Sequence, residues 1–132
     1  MKMLGLSEEV TLNQKMVLSE FEKSPILMGI IMIIFGPIME EIIFRINIKQ
    51  IFRNIFIYYL LSGFLFGAVH NIRGFSFPIS LIQVISYFLS GLVLAIIYKK
   101  SKNIWCSIIV HVTINTLIVI SLLSSLYEGG AI

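Results

Sequence analysis

The sequence predicts an all-α membrane protein in which four transmembrane helices follow a short polar or interfacial N-terminal helix. Of its 132 residues, 58% are hydrophobic and only 13% are charged, whereas a soluble domain is nearer half apolar and a quarter charged. A chain of this length cannot bury so much apolar surface in a core of its own. The apolar residues also fall into four runs, each close to the ~20 residues needed to span a bilayer.

Residues 1–24 are the extended polar section that precedes the predicted membrane domain, residues 25–128. Thr11 followed by Gln14 resembles a capping box, and the apolar residues of this section recur with a helical period. These residues are Leu12, Met16, Val17, Leu18 and Phe21. The pattern fits either a short helix at the membrane surface or a partly ordered tail. Its several glutamates and the lack of an unbroken apolar stretch exclude a signal peptide.

The four spans are predicted at about residues 26–48, 55–72, 79–98 and 104–126. Each must be helical because lipid offers no hydrogen-bond partners to an open strand or loop. The positive-inside rule places the loops after the first and third spans in the cytoplasm and both termini outside. We therefore expect an integral multi-pass protein of the plasma membrane, with the lipid bilayer as its surroundings.

The net charge of +3 does not indicate nucleic-acid binding. The basic residues are scattered or lie beside an apolar run, as Lys99, Lys100 and Lys102 do, which is typical of a membrane anchor. No basic face interleaved with aromatic residues is present in the sequence. The single cysteine, Cys106, excludes a disulfide within the chain.

A small set of strongly polar side chains interrupts the apolar runs. Such groups are costly inside a membrane and usually mark functional sites. Because lipid cannot satisfy them, we expect them to meet between the helices. The candidates are Glu40, Glu41 and Arg45 in the first span, His70 at the end of the second, and His111 with Asn115 in the fourth.

The first span has a definite helical layout. Glu41 and Arg45 lie one turn apart with the acid first, which is the favourable order for an ion pair. Glu40 projects about 100° away from Glu41 and has no local cation. In surroundings poor in water, such a carboxyl group suits a general base and acid that works near neutral pH. The alternative is an ion-paired cluster that only joins helices.

His111 and Asn115 also lie one turn apart on a single helical face. An imidazole and an amide can hold a water, donate to an oxyanion or bind a metal, or they can simply join two helices. His70, taken alone, is equally typical of a membrane–water interface. Together, two carboxylates, two imidazoles and an amide can activate a water against an acyl carbon. The chain has no aspartate, so a Ser/His/Asp triad is excluded.

Three short motifs resemble those of a known family. The strings EEIIFR, FGAVH and HVTIN follow one another on separate spans and read Glu-Glu-x-x-x-Arg, Phe-x-x-x-His and His-x-x-x-Asn. This order resembles the type II CAAX prenyl protease and bacteriocin-processing (abortive-infection, or CPBP) family of intramembrane proteases. The resemblance covers about residues 26–126. It implies hydrolysis of a peptide bond in a membrane cavity, with a peptide or membrane protein as substrate.

The resemblance implies a role for each motif residue. Glu40 would activate the water with help from His70, and the other residues would stabilise the oxyanion or support the first motif. These are His111 and Asn115 for the oxyanion, and Glu41 and Arg45 for the support. The family has been described both as metal-dependent and as glutamate-dependent without metal. Zinc therefore stays open, with Glu40, His70 and His111 as the candidate ligands, although the sequence lacks H-E-x-x-H.

Two further functions are compatible with the sequence. One is a bacteriocin self-immunity protein with little or no proteolytic activity, which the short chain and the resemblance both suggest. The other is a small channel or carrier with a polar relay. The chain carries the core spans without the additional N-terminal helices of larger family members, which predicts an open cavity wall, a homo-oligomer or a partner subunit.

The predicted spans raise one geometric conflict. If all spans are straight, Glu40 and His111 lie on one side of the bilayer midplane and His70 lies near the opposite surface. A single cluster then requires either a shifted second helix, with residues 45–54 at the interface, or a bend of the first helix at Pro37.

Overall fold

A computed structural model describes residues 12–71 and 79–128, and within these ranges all regular structure is helical. The helices are α1 (Leu12–Lys23), α2 (Pro25–Ile51), α3 (Ile55–Asn71), α4 (Ile79–Ser101) and α5 (Ile104–Glu128).

Length and apolar composition allow α2, α4 and α5 to cross a membrane, and α3 is an apolar helix of 17 residues. The prediction of an all-α membrane protein is confirmed. The division at residue 24 and the membrane orientation stay predictions. The Thr11 cap, the end of the second span at Ile72 and the positive charge of Arg73 lie outside the described residues.

Short polar segments separate the helices. Oδ1 of Asn54 accepts hydrogen bonds from the backbone N–H groups of Phe56 at 2.9 Å and Ile57 at 3.2 Å, and so caps the start of α3. Asn103 caps α5 in the same way, accepting from the N–H of Trp105 at 3.0 Å. Lys102, after the end of α4, has a φ of 56°, the left-handed conformation that often follows a last helical turn.

Helix α2 contains two π-helical segments, Ile31–Phe35 and Ile42–Asn47, one on either side of the glutamate pair. At the end of the first segment the N–H of Gly36 bonds to the carbonyl of Ile31, five residues back. Pro37 follows and has no N–H to donate. The helix continues through this position by widening its turn, which is how π segments accommodate an irregular hydrogen-bond pattern.

Helix α1 packs on the other helices through its apolar side. Phe21 is 1% exposed and packs with Val119 of α5. Partly buried side chains of α1, α2 and α5 surround these two residues, namely Val17, Leu18, Met28, Met32, Ile33 and Leu123. Three residues of the apolar stripe seen in the sequence therefore contact α2 and α5, namely Val17, Leu18 and Phe21, whereas Met16 is exposed.

Helices α3 and α4 approach each other closely at three glycines. A Cβ built on Gly63 would lie 2.9 Å from the carbonyl oxygen of Phe88, and one on Gly67 would lie 3.0 Å from another α4 carbonyl. From the α4 side, a Cβ on Gly91 would lie 2.8 Å from the Cβ of Phe66. We call Gly63, Gly67 and Gly91 the glycine seam, because only small residues allow this approach.

We expect Gly63→Ala to destabilise the protein by about 1–3 kcal/mol, the usual cost of overpacking, because the added methyl group overlaps the backbone at Phe88. Gly29→Ala in α2 is the matched control, since a Cβ there meets nothing within 4 Å. Reversible unfolding in detergent measures both variants. Equal stability of the two would show that the glycine seam does not set the helix spacing.

Candidate active site

Glu41 and Arg45 form an ion pair on α2 in which both side chains are 0% exposed. Nε of Arg45 donates to Oε2 of Glu41 at 2.9 Å, and Nη2 donates to Oε1 at 3.2 Å. This is the bidentate geometry that makes an arginine–carboxylate pair strong and directional. The four-residue spacing in the sequence predicts this contact, and the structure contains it.

Arg45 is also held by α3. Its Nη1 donates to Oγ of Ser62, and the Ser62 hydroxyl donates to the carbonyl of Phe44 at 2.9 Å. The guanidinium carbon lies 5.4 Å from the centre of the Phe66 ring, within the range of a cation–π contact. The ion pair is therefore anchored to two helices, and its position relative to α3 is determined by direct hydrogen bonds.

His111 connects α5 to this ion pair. The residue is 3% exposed, and its Nδ1 lies 3.0 Å from Oε1 of Glu41. A carboxylate that pairs with Arg45 can only accept, so the proton of this hydrogen bond belongs to Nδ1. The bond orients the ring and directs Nε2 towards Glu40, whose Oε2 lies 3.6 Å away.

His70 approaches Glu40 from α3. Its Nδ1 donates at 2.8 Å to the carbonyl of Phe66, because a carbonyl oxygen can only accept. Its Nε2 then lies 3.7 Å from Oε2 of Glu40. The two histidines thus present the same ring nitrogen to the same carboxylate oxygen.

In the structure His70 and Glu40 lie side by side, and α2 is continuous through Pro37. Helix α2 extends to Ile51, beyond the predicted end of the span, and the hydrogen bond from Ser62 to the Phe44 carbonyl places α3 in register with the end of the first motif. Side chains on a helix lean towards its N-terminus, so the His70 ring points back towards Glu40.

Glu40 is the residue on which both histidines converge. Its Oε2 is buried and makes no hydrogen bond with any of the described residues. The distances to the two imidazoles, 3.6 and 3.7 Å, exceed those of normal hydrogen bonds. Most buried polar atoms in proteins are satisfied, and an exception calls for an explanation such as a catalytic role or a bound group.

Glu40 and His70 line a partly open cavity of about 300 Å³. Asn115 of α5, Tyr87 of α4 and Val17 of α1 also line it, so each of the five helices contributes to the wall. Most of the remaining lining is aliphatic. Helix α1 therefore contributes to the cavity wall through Val17.

Asn115 has a second contact that explains its position. Its Nδ2 donates to the carbonyl of Met32 at 2.8 Å. In an α-helix the Met32 carbonyl would accept a hydrogen bond from the N–H of Gly36, but that N–H bonds to the Ile31 carbonyl instead. In a π-helix the Met32 carbonyl would face Pro37, which has no N–H. Asn115 supplies the missing donor. Since an amide nitrogen carries two protons, one remains for the cavity.

We expect Asn115→Leu to cost about 1–3 kcal/mol of stability because it leaves the partly buried Met32 carbonyl without a donor. Pro37→Ala returns a backbone N–H to the same turn, so the double variant should recover part of the loss. A double-mutant cycle of unfolding free energies in detergent measures this coupling. Strictly additive effects would mean that Asn115 and Pro37 do not act on a shared carbonyl.

The candidate zinc ligands Glu40, His70 and His111 approach each other at Glu40 Oε2. By number and arrangement, however, the part of the chain that the structure describes holds no group of three or more His, Cys, Asp or Glu residues that could bind a metal ion. In the mechanism proposed below these donors act on a water molecule. Metal analysis of the purified protein, given with the proposed function, tests whether zinc is bound.

Two residues of the site were missed from the sequence, Ser62 and Tyr87. Ser62 lies one helical turn before Phe66 and two turns before His70, and this shared face is the signal that could have identified it. Tyr87 lies one turn before Gly91 on α4. The predicted set itself is brought together: five members form one chain of contacts, and Asn115 joins them at the cavity wall. The five are Glu40, Glu41, Arg45, His70 and His111.

Comparison with known proteins identifies the family to which the chain belongs. Residues 22–117, which include every candidate site residue, match the family described as type II CAAX prenyl endopeptidase Rce1-like. A curated relative from Bacillus subtilis (strain 168), named "Putative membrane peptidase YdiL", is 36% identical over 114 residues. The match covers 82% of this chain and 42% of that protein, so the chain spans less than half of the relative's length. No solved structure matches the chain significantly. The motifs, the buried cluster and the extent of the match together show that this chain belongs to the type II CAAX prenyl endopeptidase Rce1-like family of membrane proteins.

Proposed function

We propose that this protein is an intramembrane endopeptidase that hydrolyses a peptide bond with a water molecule activated by Glu40. One observation carries the proposal: Oε2 of Glu40 is buried, without a hydrogen bond to the described residues, and faces the Nε2 atoms of His70 and His111 at 3.7 and 3.6 Å. Membership of a prenyl endopeptidase family supports a peptide substrate. We place the protein in the plasma membrane.

The histidine tautomer at His70 determines how a water molecule would be oriented. The Nδ1 proton of His70 is used by the Phe66 carbonyl, so the neutral ring presents a lone pair at Nε2. A water between His70 and Glu40 would donate one proton to each of them. Its oxygen lone pairs would then be free to attack a carbonyl carbon, which is the orientation that general-base catalysis requires.

We assign a second ring proton to His111. The charges of Glu41 and Arg45 already cancel within their ion pair, so a protonated His111 would balance an ionised Glu40. The buried cluster is then neutral overall, which avoids the large penalty of an uncompensated charge in surroundings of low dielectric. Nε2 of His111 becomes a hydrogen-bond donor next to the position where negative charge develops.

The reaction then takes two steps. Glu40 accepts a proton from water while the hydroxide oxygen forms a bond to the peptide carbonyl carbon, and the oxyanion receives hydrogen bonds from His111 and from the second amide proton of Asn115. Glu40 then returns the proton to the peptide nitrogen as the carbon–nitrogen bond breaks. The products are a new carboxyl terminus and a new amine, with one water consumed.

The test uses the purified full-length chain in proteoliposomes, incubated in H₂¹⁸O with synthetic peptides of juxtamembrane and transmembrane sequence. We expect mass spectrometry to find one ¹⁸O atom in the new carboxyl group of each cleaved peptide. Metal analysis of the same preparation, with and without chelator, separates a zinc-dependent from a metal-free reaction. If peptides bind but are not cleaved, the self-immunity interpretation, in which the protein protects a cell from a secreted peptide, replaces the proposal.

A further inference from the structure

Two aromatic rings contact His70 from different directions. The Phe66 centroid lies 4.5 Å from the imidazole with a tilt of 34°, and the Tyr87 centroid lies 4.5 Å away with a tilt of only 21°. The Phe66 and Tyr87 centroids are 6.4 Å apart, so the three rings do not stack on a single axis. Tyr87 is the more nearly parallel ring and stacks on the imidazole, whereas Phe66 contacts it at a larger tilt.

Tyr87 adds a restraint from α4 to the two that α3 provides. On α3, the hydrogen bond from Nδ1 to the Phe66 carbonyl fixes one corner of the imidazole, and the tilted Phe66 ring contacts it at 4.5 Å. A stacked ring on α4 also restricts the tilt of the imidazole plane. The hydrogen bond and the stacked ring together define the direction of Nε2, which has to point at Oε2 of Glu40.

The glycine seam sets the distance between the Tyr87 and His70 rings. Tyr87 precedes Phe88, whose backbone contacts Gly63, and lies one turn before Gly91, which contacts Phe66. The segment of α4 that carries Tyr87 is therefore held against α3 by backbone contact. The spacing of the two stacked rings follows from this helix–helix distance rather than from a long and flexible side chain.

We propose that Tyr87 is a positioning residue for His70: by stacking on the imidazole it keeps Nε2 directed at Glu40. The effect on the reaction rate rests on the proposed function, whereas the effect on the imidazole itself does not. Tyr87 also lines the cavity beside Glu40. It does not belong to any of the three sequence motifs.

The experiment compares Tyr87→Leu, which removes the flat ring, with Tyr87→Phe, which keeps it. The chain has two histidines, so the imidazole NMR spectrum of the detergent-solubilised protein contains two sets of signals, and His111→Gln identifies them. A stacked ring moves the His70 carbon-bound protons upfield. We expect Tyr87→Leu to shift them downfield and to lower kcat about tenfold, the equivalent of ~1.4 kcal/mol, with KM little changed. Tyr87→Phe should have the His70 proton shifts and the kcat of the wild type.

Tyr98→Leu is the matched control on the same helix, because the Tyr98 ring lies near the Lys49 ammonium, at 4.8 Å, rather than near the cavity. It should leave the His70 signals in place. The proposal is overturned if Tyr87→Leu does not move these signals, or if Tyr87→Phe behaves like Tyr87→Leu. If the wild-type chain cleaves no peptide, the proposed function fails, and the NMR shifts alone still decide whether Tyr87 positions His70.

Discussion

Glu40→Gln should lower kcat for peptide hydrolysis by about 10²–10⁴-fold, the usual contribution of a general base. Glutamine has nearly the shape of glutamate, but it cannot take a proton from water. The Oε2 atom that changes makes no hydrogen bond within the described ranges, but it faces the Nε2 atoms of both histidines. Because the substitution also removes the charge that balances a protonated His111, the free energy of unfolding is measured beside the rate, which separates loss of the base from loss of stability. Quantifying ¹⁸O-labelled product measures the rate, and unfolding in detergent measures the stability.

Glu20→Gln is the control for the general effect of removing one carboxylate. Glu20 lies on α1, where it forms an exposed ion pair with Lys23 at 2.7 Å, and exposed pairs of this kind contribute little to stability. Its activity should equal that of the wild type. A Glu40→Gln variant that cleaves peptides as fast as Glu20→Gln would remove Glu40 from the mechanism.

Arg45→Met should destabilise the protein by about 3–5 kcal/mol, the typical cost of leaving a buried charge without its partner. The carboxylate of Glu41 is 0% exposed and would lose both of its bonds to the guanidinium. Ser62, which is also fully buried, would lose its contact with Nη1. The free energy of unfolding in detergent is the measurement.

The double variant Glu41→Gln with Arg45→Met separates the loss of charge balance from the loss of packing. Removing both charges should recover most of the stability, because replacing a buried ion pair by neutral groups is often close to neutral. If the double variant is no more stable than Arg45→Met, the cause is lost packing around the arginine stem rather than the unpaired carboxylate.

The helices could be anticipated from the sequence because apolar runs of membrane length allow only one secondary structure. Their internal irregularities could not. The π segment at Ile31–Phe35 depends on the missing N–H of Pro37 and on Asn115, a residue on a different helix whose amide donates to Met32. Pro37 is visible in the sequence, but the contact between Met32 and Asn115 joins two helices, and no local pattern of residues encodes it.

The candidate site could likewise be anticipated from the sequence only in part. The convergence of Glu40, His70 and His111 could be anticipated because ionisable groups in an apolar chain have no other partners. Ser62 and Tyr87 are uncharged, and residues of their types also occur elsewhere in the apolar runs of this chain, so neither stands out in the sequence. The contribution of Ser62 depends on which side of α3 faces α2, and that of Tyr87 depends on which side of α3 faces α4, where the glycine seam lies.

The glycine seam also limits how the cavity can open. At these glycines α3 and α4 are in backbone contact, so rotation of a side chain cannot separate them. We therefore expect the two helices to move as one rigid unit. Val17 of α1 and Met32 of α2 also line the cavity, and they pack through side chains rather than through backbone contact. For the proposed peptidase, we therefore expect the cavity to change its width on the α1–α2 side, while the α3–α4 pair that carries His70 and Tyr87 keeps its spacing.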